Sequence, residues 1–163
     1  MKASIIACLA IGLLSTSGFA QPVRSSYDLT LEGAREIMAA AVAYSTEAHA
    51  PGGAIAIVDA AGTLILFERI NGTFPISSEV SLGKARSAAL FRFPTVKLED
   101  SINQGRPALI STGEVALKGG VPITYQGTVI GGIGVSGAAS ADQDVEIALA
   151  GLTAGFLKDQ ITQ

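Results

Sequence analysis

What most limits the folds open to this chain is a pair of apolar stretches, each broken once by a tight turn. Ala54–Val58 runs into Asp59-Ala60-Ala61-Gly62 and resumes as Thr63–Ile70. Val121–Tyr125 runs into Gln126-Gly127 and resumes as Thr128–Val135. Short apolar runs bounded by Gly- and Asp-bearing turns form strands, and turns this short join them as hairpins. Helical patterns lie before, between and after the hairpins. The order helix, hairpin, helices, hairpin, helix predicts an α+β fold: an antiparallel sheet flanked by helices on its faces.

The helices carry their own start and stop signals. Thr30 is placed to cap a first helix, with Glu32 near its positive end. Ala34, Ile37, Met38, Ala41, Ser45 and Ala48 recur at helical spacing to about His49, and Pro51-Gly52-Gly53 stops the run. Ser77 or Ser78 is expected to cap a second helix that reaches about Arg92. Phe93-Pro94-Thr95 breaks it, a short helix is predicted over Val96–Asn103, and Gly105–Glu114 reads as irregular. Ser140-Ala141-Asp142-Gln143 matches a capping box, and Asp142, Asp144 and Glu146 load the helix that follows with negative charge. Its apolar stripe is read as Val145, Leu149, Leu152 and Phe156.

At the N-terminus, Lys2, an apolar run from Ile5 to Leu14 and the small residues of Gly18-Phe19-Ala20 form the three-part pattern of a secretory signal. The run falls short of the roughly 20 residues needed to span a bilayer. A lipobox reading of Ile5-Ile6-Ala7-Cys8 is the rival, but cleavage there would leave almost no apolar run before Cys8. The expected organisation is a signal peptide over residues 1–20, a polar lead-in over 21–28 and one domain over 29–163. The mature protein is expected to be periplasmic or secreted, with no membrane span after cleavage.

Composition closes off several chemistries. Cys8 is the one cysteine and leaves with the signal, so disulfides, zinc–thiolate sites and thiol nucleophiles are excluded. With His49 as the one histidine, a Ser-His-Asp triad has little basis. Lys and Arg are scattered, with no basic run or aromatic ladder, which argues against nucleic acid as a partner. Only 15% of residues are charged while 48% are hydrophobic, a balance that points to surface buried in a homo-oligomer.

Gly132-Ile133-Gly134-Val135-Ser136-Gly137 matches a dinucleotide-binding G-x-G-x-x-G. The strand before it belongs to a hairpin rather than to a strand–helix–strand unit, so the glycines are better read as sites of close backbone packing. The same region carries a family likeness. Lys84-Ala85-Arg86-Ser87-Ala88-Ala89, Gly119-Gly120-Val121-Pro122-Ile123, the GGIGVSG of Gly131–Gly137, Gln143-Asp144 and the Val58–Gly62 turn together resemble the haem-degrading domain family, GlcG/HbpS-like and related to PduO C-terminal domains. The likeness runs from about Leu29 to Leu157. It implies a profilin-like α/β/α fold, assembly into dimers or higher oligomers, and haem or another tetrapyrrole as ligand. Where family members often read Arg-Met-Asp-Gly-Ala, this chain reads Arg69-Ile70-Asn71-Gly72-Thr73, which removes a carboxylate base or ligand from that position.

Individual residues then present alternatives. His49 offers an imidazole for haem iron, or simply a cation at a helix C-terminus. Lys84, on the edge of a small apolar helix face, either points its ammonium into a cleft, where it would pair with a propionate or act as a catalytic lysine, or snorkels to solvent. Arg69 beside a glycine loop is an anion-binding candidate, with an ion pair to Glu68 as the alternative; Arg86 and Arg92 do not share a face. Tyr125, Tyr44 and Met38 are further candidates to approach a haem, and Ser136 with nearby N–H groups could donate to a ligand anion. Asp144 and Glu146 are two apart on a helix and serve the helix dipole. Three functions stay open: a tetrapyrrole binder that sequesters haem, degrades it or passes it to a partner; a binder of another anionic metabolite; and a cofactor-independent proton-transfer enzyme using Lys84, Asp59 or Glu68. In each a small molecule is the partner.

Overall fold

The computed structural model describes residues 26–158, so the expected signal peptide, Cys8 and most of the expected lead-in lie outside the described residues. Helix α1 (Leu31–Glu47) is followed by strands β1 (Gly53–Asp59) and β2 (Leu64–Ile70), then helices α2 (Ser77–Phe91) and α3 (Val96–Asn103). A 3-10 turn (Pro107–Thr112) leads to β3 (Gly120–Tyr125) and β4 (Thr128–Ser136), and the chain closes with α4 (Ala141–Gly151) and the single turn α5 (Gly155–Lys158). The strands pair antiparallel in the order β2-β1-β4-β3. Both hairpins form at the expected turns, and the two hairpins join through β1 and β4. Among the described residues no helix is long and apolar enough to cross a membrane.

Because strand side chains alternate between faces, the central strands serve two unlike layers. One face presents Ile55, Ile57, Ile123, Ile133 and Val135 to Ile37, Met38 and Ala41 of α1 and Ile147 and Ala148 of α4. The other presents Ala56 and Val58, with Gly134 and Gly132 opposite them on β4 and Gly120 beyond on β3. Onto this flat face α2 packs through Ala85 and Ala89. A Cβ at Gly134 would collide with the Ser81 carbonyl, and one at Gly132 or Gly120 with the Ala85 or Lys84 carbonyl. Gly132 and Gly134 of GGIGVSG therefore serve helix-on-strand contact, and Gly131 close approach to the β1 backbone at Val58, as the hairpin context predicts. Sheet and helices make the α/β/α arrangement expected of the chain.

Two helix readings are corrected. Neither Ser77 nor Ser78 caps α2: Ile76 holds the cap position without a side-chain bond, and Ser77 is the first helical residue, fully buried. The stripe of α4 is also different. Leu149 is 49% exposed and the residues of α4 turned inward are Asp144, Ile147, Ala148 and Gly151, while Leu152 and Phe156, beyond the helix, do pack on the core as expected. Around Ile147 the inward face is small because α4 lies close on α1 and β4; a Cβ on Gly151 would already press on Ile37 and Ile133. The caps of α1 and α4 form as expected: Thr30 Oγ1 accepts from Gly33 N at 3.2 Å and Ser140 Oγ from Gln143 N at 3.1 Å.

Candidate functional site

Most of the motif residues meet at one end of the sheet, while the Val58–Gly62 turn lies at the other. Register pairs Gly53 with Ile70 and Ala54 with Ser136, so the start of β1 and the ends of β2 and β4 lie together at the first of these ends. Lys84, 3% exposed, reaches up from α2 and donates to Asp144 Oδ2 at 2.9 Å and to the Val135 carbonyl at 2.8 Å. The other Asp144 oxygen accepts from Ala138 N at 3.0 Å. Gly119, with φ +118°, lies against the pair, and a Cβ on it would sit 2.9 Å from Lys84 Nζ. Gln143 completes the corner, accepting from Ala139 N and donating to the Ala48 carbonyl.

The ammonium of Lys84 therefore takes neither expected direction. It turns into the protein, where an ion pair with further hydrogen bonds holds α2, α4 and β4 together. Removing one partner of such a pair costs about 3–5 kcal/mol, because the other is left as an uncompensated buried charge. Asp144 is more than a dipole match. A sequence signal for this existed: Asp144, Ala148 and Gly151 fall on one helical stripe, and a carboxylate on a small-residue stripe needs a buried cation. Ser136, also buried, ends β4 beside this corner.

Around the same end lie the exposed loops. Gly53 N donates to Thr73 Oγ1 at 2.6 Å, and that hydroxyl donates to the Ile70 carbonyl at 2.6 Å, tying the α1–β1 loop to the β2–α2 loop. Arg69 is exposed and donates from Nη2 to the Thr73 carbonyl at 2.5 Å, in place of the alternative pair with Glu68. Arg69, Ile70, Asn71 and Gly72 line a small cleft of about 170 Å³. His49 stands exposed just beyond α1 in the left-handed region, φ +52°. Phe74 and Ile76, 54% and 59% exposed, follow on the second loop. The loops thus offer an imidazole, a guanidinium and uncovered apolar side chains on one side of the molecule.

Tyr125 is at the far end. β4 alone separates the ends by about 25 Å at 3.3 Å per residue, so Tyr125 cannot join His49 or Arg69 in one site within the chain. It packs edge-on to Tyr27, with ring centres 5.0 Å apart, and the two begin a cleft of about 310 Å³ that continues to Leu29, Ile130 and Phe156. Tyr27, in the polar lead-in, is a lining residue that periodicity does not flag. Of the other haem candidates, Met38 is a core residue, 1% exposed. Tyr44 donates to Glu146 Oε2 at 3.1 Å; that bond, followed by burial and the charges of Glu146 and Glu47, raises its pKa and disfavours the phenolate an iron would need. Asp59 is spent on its own turn, accepting from Ala61 and Thr63 N–H groups, and Glu68 stands exposed on β2, so the three groups considered for proton transfer are not gathered.

Residues 29–153 match the family described as haem-degrading protein HbpS-like. Protein GlcG of Escherichia coli strain K12 is 40% identical over 83 residues, covering 50% of this chain and 62% of GlcG, so the match spans less than two thirds of that relative. The crystal structure of HbpS superposes with a TM-score of 0.74 at 33% identity, covering 81% of this chain and 93% of that one. The crystal structure of a PduOC–haem complex does so with a TM-score of 0.71 at 28% identity, covering 78% and 95%.

Proposed function

We propose, from the premise that this chain belongs to the HbpS-like family of haem-degrading proteins, that it binds haem or a related tetrapyrrole on the loop surface carrying His49 and Arg69. The observation that carries the reading is a relative of the same fold crystallised with haem. The chemistry of the loops fits the group. Haem iron takes an imidazole nitrogen, propionates take a guanidinium, and the porphyrin face takes uncovered apolar side chains such as Phe74 and Ile76. When bound, the iron supplies the redox chemistry, and the protein supplies binding and orientation. Hydrogen bonds through Thr73 hold the two loops in place, so little ordering is left to be done on binding.

A hemin titration followed by absorbance tests this. A saturable Soret change near one haem per subunit is expected, weakened in Arg69→Gln. A featureless, non-saturating curve contradicts it. A second reading rests on the small cleft of Arg69, Asn71 and Gly72, which suits a small carboxylate; it predicts a thermal shift with organic acids and no Soret change.

Two further parts of the proposal concern the setting. Residues 1–20 act as a secretory signal, which puts the mature protein in the periplasm or outside the cell. The mature chain forms a homo-oligomer, supported by uncovered apolar side chains such as Ile110 and Leu117, 63% and 51% exposed. Light scattering that returns a monomer would contradict the second part.

A further inference from the structure

The cleft at the far end of the sheet has a charge pattern opposite to that of the loops. Its walls are aromatic and apolar: Tyr27, Tyr125 and Phe156, with Leu29 and Ile130 behind them. The two tyrosines meet at 74° and so form a corner of ring face and ring edge. Tyr27 is fixed there by its hydroxyl, which donates to Gln126 Oε1 at 2.5 Å. Gly33 keeps the floor open, since a Cβ on it would press Leu29 and Phe156 at 3.1 and 3.3 Å. The charged lining residues are Asp28, Glu32 and Glu36, all exposed at the rim; among the described residues no lysine or arginine lines the cleft. Glu32 is shared with Arg35 at 3.4 Å, in a pair that is itself largely exposed.

Aromatic faces attract cations through their quadrupole, and rim carboxylates add a field of the same preference. Anions meet repulsion from both. The volume, about 310 Å³, is at the low end of small-molecule pockets and suits a compact ligand. We infer that this cleft is a second binding site, for a small organic cation: an ammonium, primary or quaternary, carried on an apolar body. Tyr27 and Tyr125 hold the cationic head, Asp28 and Glu36 supply the field, and Leu29, Ile130 and Phe156 take the apolar part. The inference is independent of the haem reading, because the two surfaces lie at opposite ends of the sheet and select opposite charges.

Calorimetric titration with three probes of one shape tests it: benzyltrimethylammonium, benzyl alcohol and benzoate. The ammonium is expected to bind saturably at one site per chain, about tenfold more tightly than the alcohol, as a part-desolvated cation–π contact implies. Benzoate is expected to give no heat of binding. Tyr125→Leu and Glu36→Gln should each weaken the ammonium several-fold, and added salt should weaken it further. Glu36 is exposed, so its variant keeps the fold, and hemin titration of both variants should match the unaltered protein. Equal or tighter binding of benzoate, no saturable ammonium binding at millimolar concentration, or ammonium binding indifferent to both substitutions would each overturn the inference. Loss of hemin binding alone would leave it standing and strike only the haem proposal.

Discussion

The two ends of the sheet use charge in opposite ways. Where β4 ends, Lys84 and Asp144 turn inward and are consumed in holding α2 and α4 to the strands. Where β3 and β4 turn, Asp28, Glu32 and Glu36 turn outward around an aromatic cleft. The residues that most mark the family in sequence lie at the first end, yet most of their polar groups already have partners. What remains free to meet a ligand there is on the exposed loops, His49 and Arg69 among them. Motif density thus marks the architecture of the fold, and on the proposed reading the ligand chemistry sits beside it.

The largest effect expected from breaking this arrangement is at Gly134. Gly134→Val drives a side chain into the α2 backbone, and about 3 kcal/mol or more should be lost in urea unfolding. Lys84→Met comes next. It leaves Asp144 buried without its cation, so unfolding should be easier by about 3–5 kcal/mol. The double variant Lys84→Met with Asp144→Leu should recover part of that loss and not all, since Ala138 N also loses its acceptor. Ser140→Ala removes only a cap and should cost about 1 kcal/mol. The smallest effect belongs to Tyr44. Its folded pKa lies above the ordinary 10.0, because Glu146 accepts from the neutral phenol. The stabilisation is present below pH 10 and is lost as the pH rises through the folded value. Ultraviolet titration should show that phenol ionising late, and Glu146→Gln should bring it earlier.

Much of the fold was legible because local rules and tertiary needs agreed. Thr30, Ser140 and both hairpin turns sit where their own chemistry puts them, and the structure keeps them. Ser77 and the α4 stripe were misread because packing overrode local preference. Ser77 is held under Gly137, where its hydroxyl has no hydrogen-bond partner, and α4 turns Ile147, Ala148 and Gly151 inward rather than Leu149, with Gly151 small enough for close approach to Ile37 of α1. The site was legible residue by residue but not as an assembly. Lys84 stood out, while its partner lies 60 residues further on. Tyr125 and His49 both read as ligand-facing, and only the strand register puts them at opposite ends. Tyr27 gave no signal, since a lone tyrosine in a polar lead-in gains its meaning from the ring it packs against.

The central claim is that the Lys84 end is structural within and ligand-facing only on its loops. The direct measurement is hemin titration of the unaltered protein, His49→Ala and Lys84→Met side by side, at a temperature where circular dichroism shows all three folded. The account predicts that Lys84→Met binds hemin with an unchanged Soret band, while His49→Ala shows a shifted band and affinity weakened about tenfold or more. An unchanged His49→Ala together with a folded Lys84→Met that no longer binds would contradict it, and would move the ligand into the corner that Lys84 and Asp144 now close.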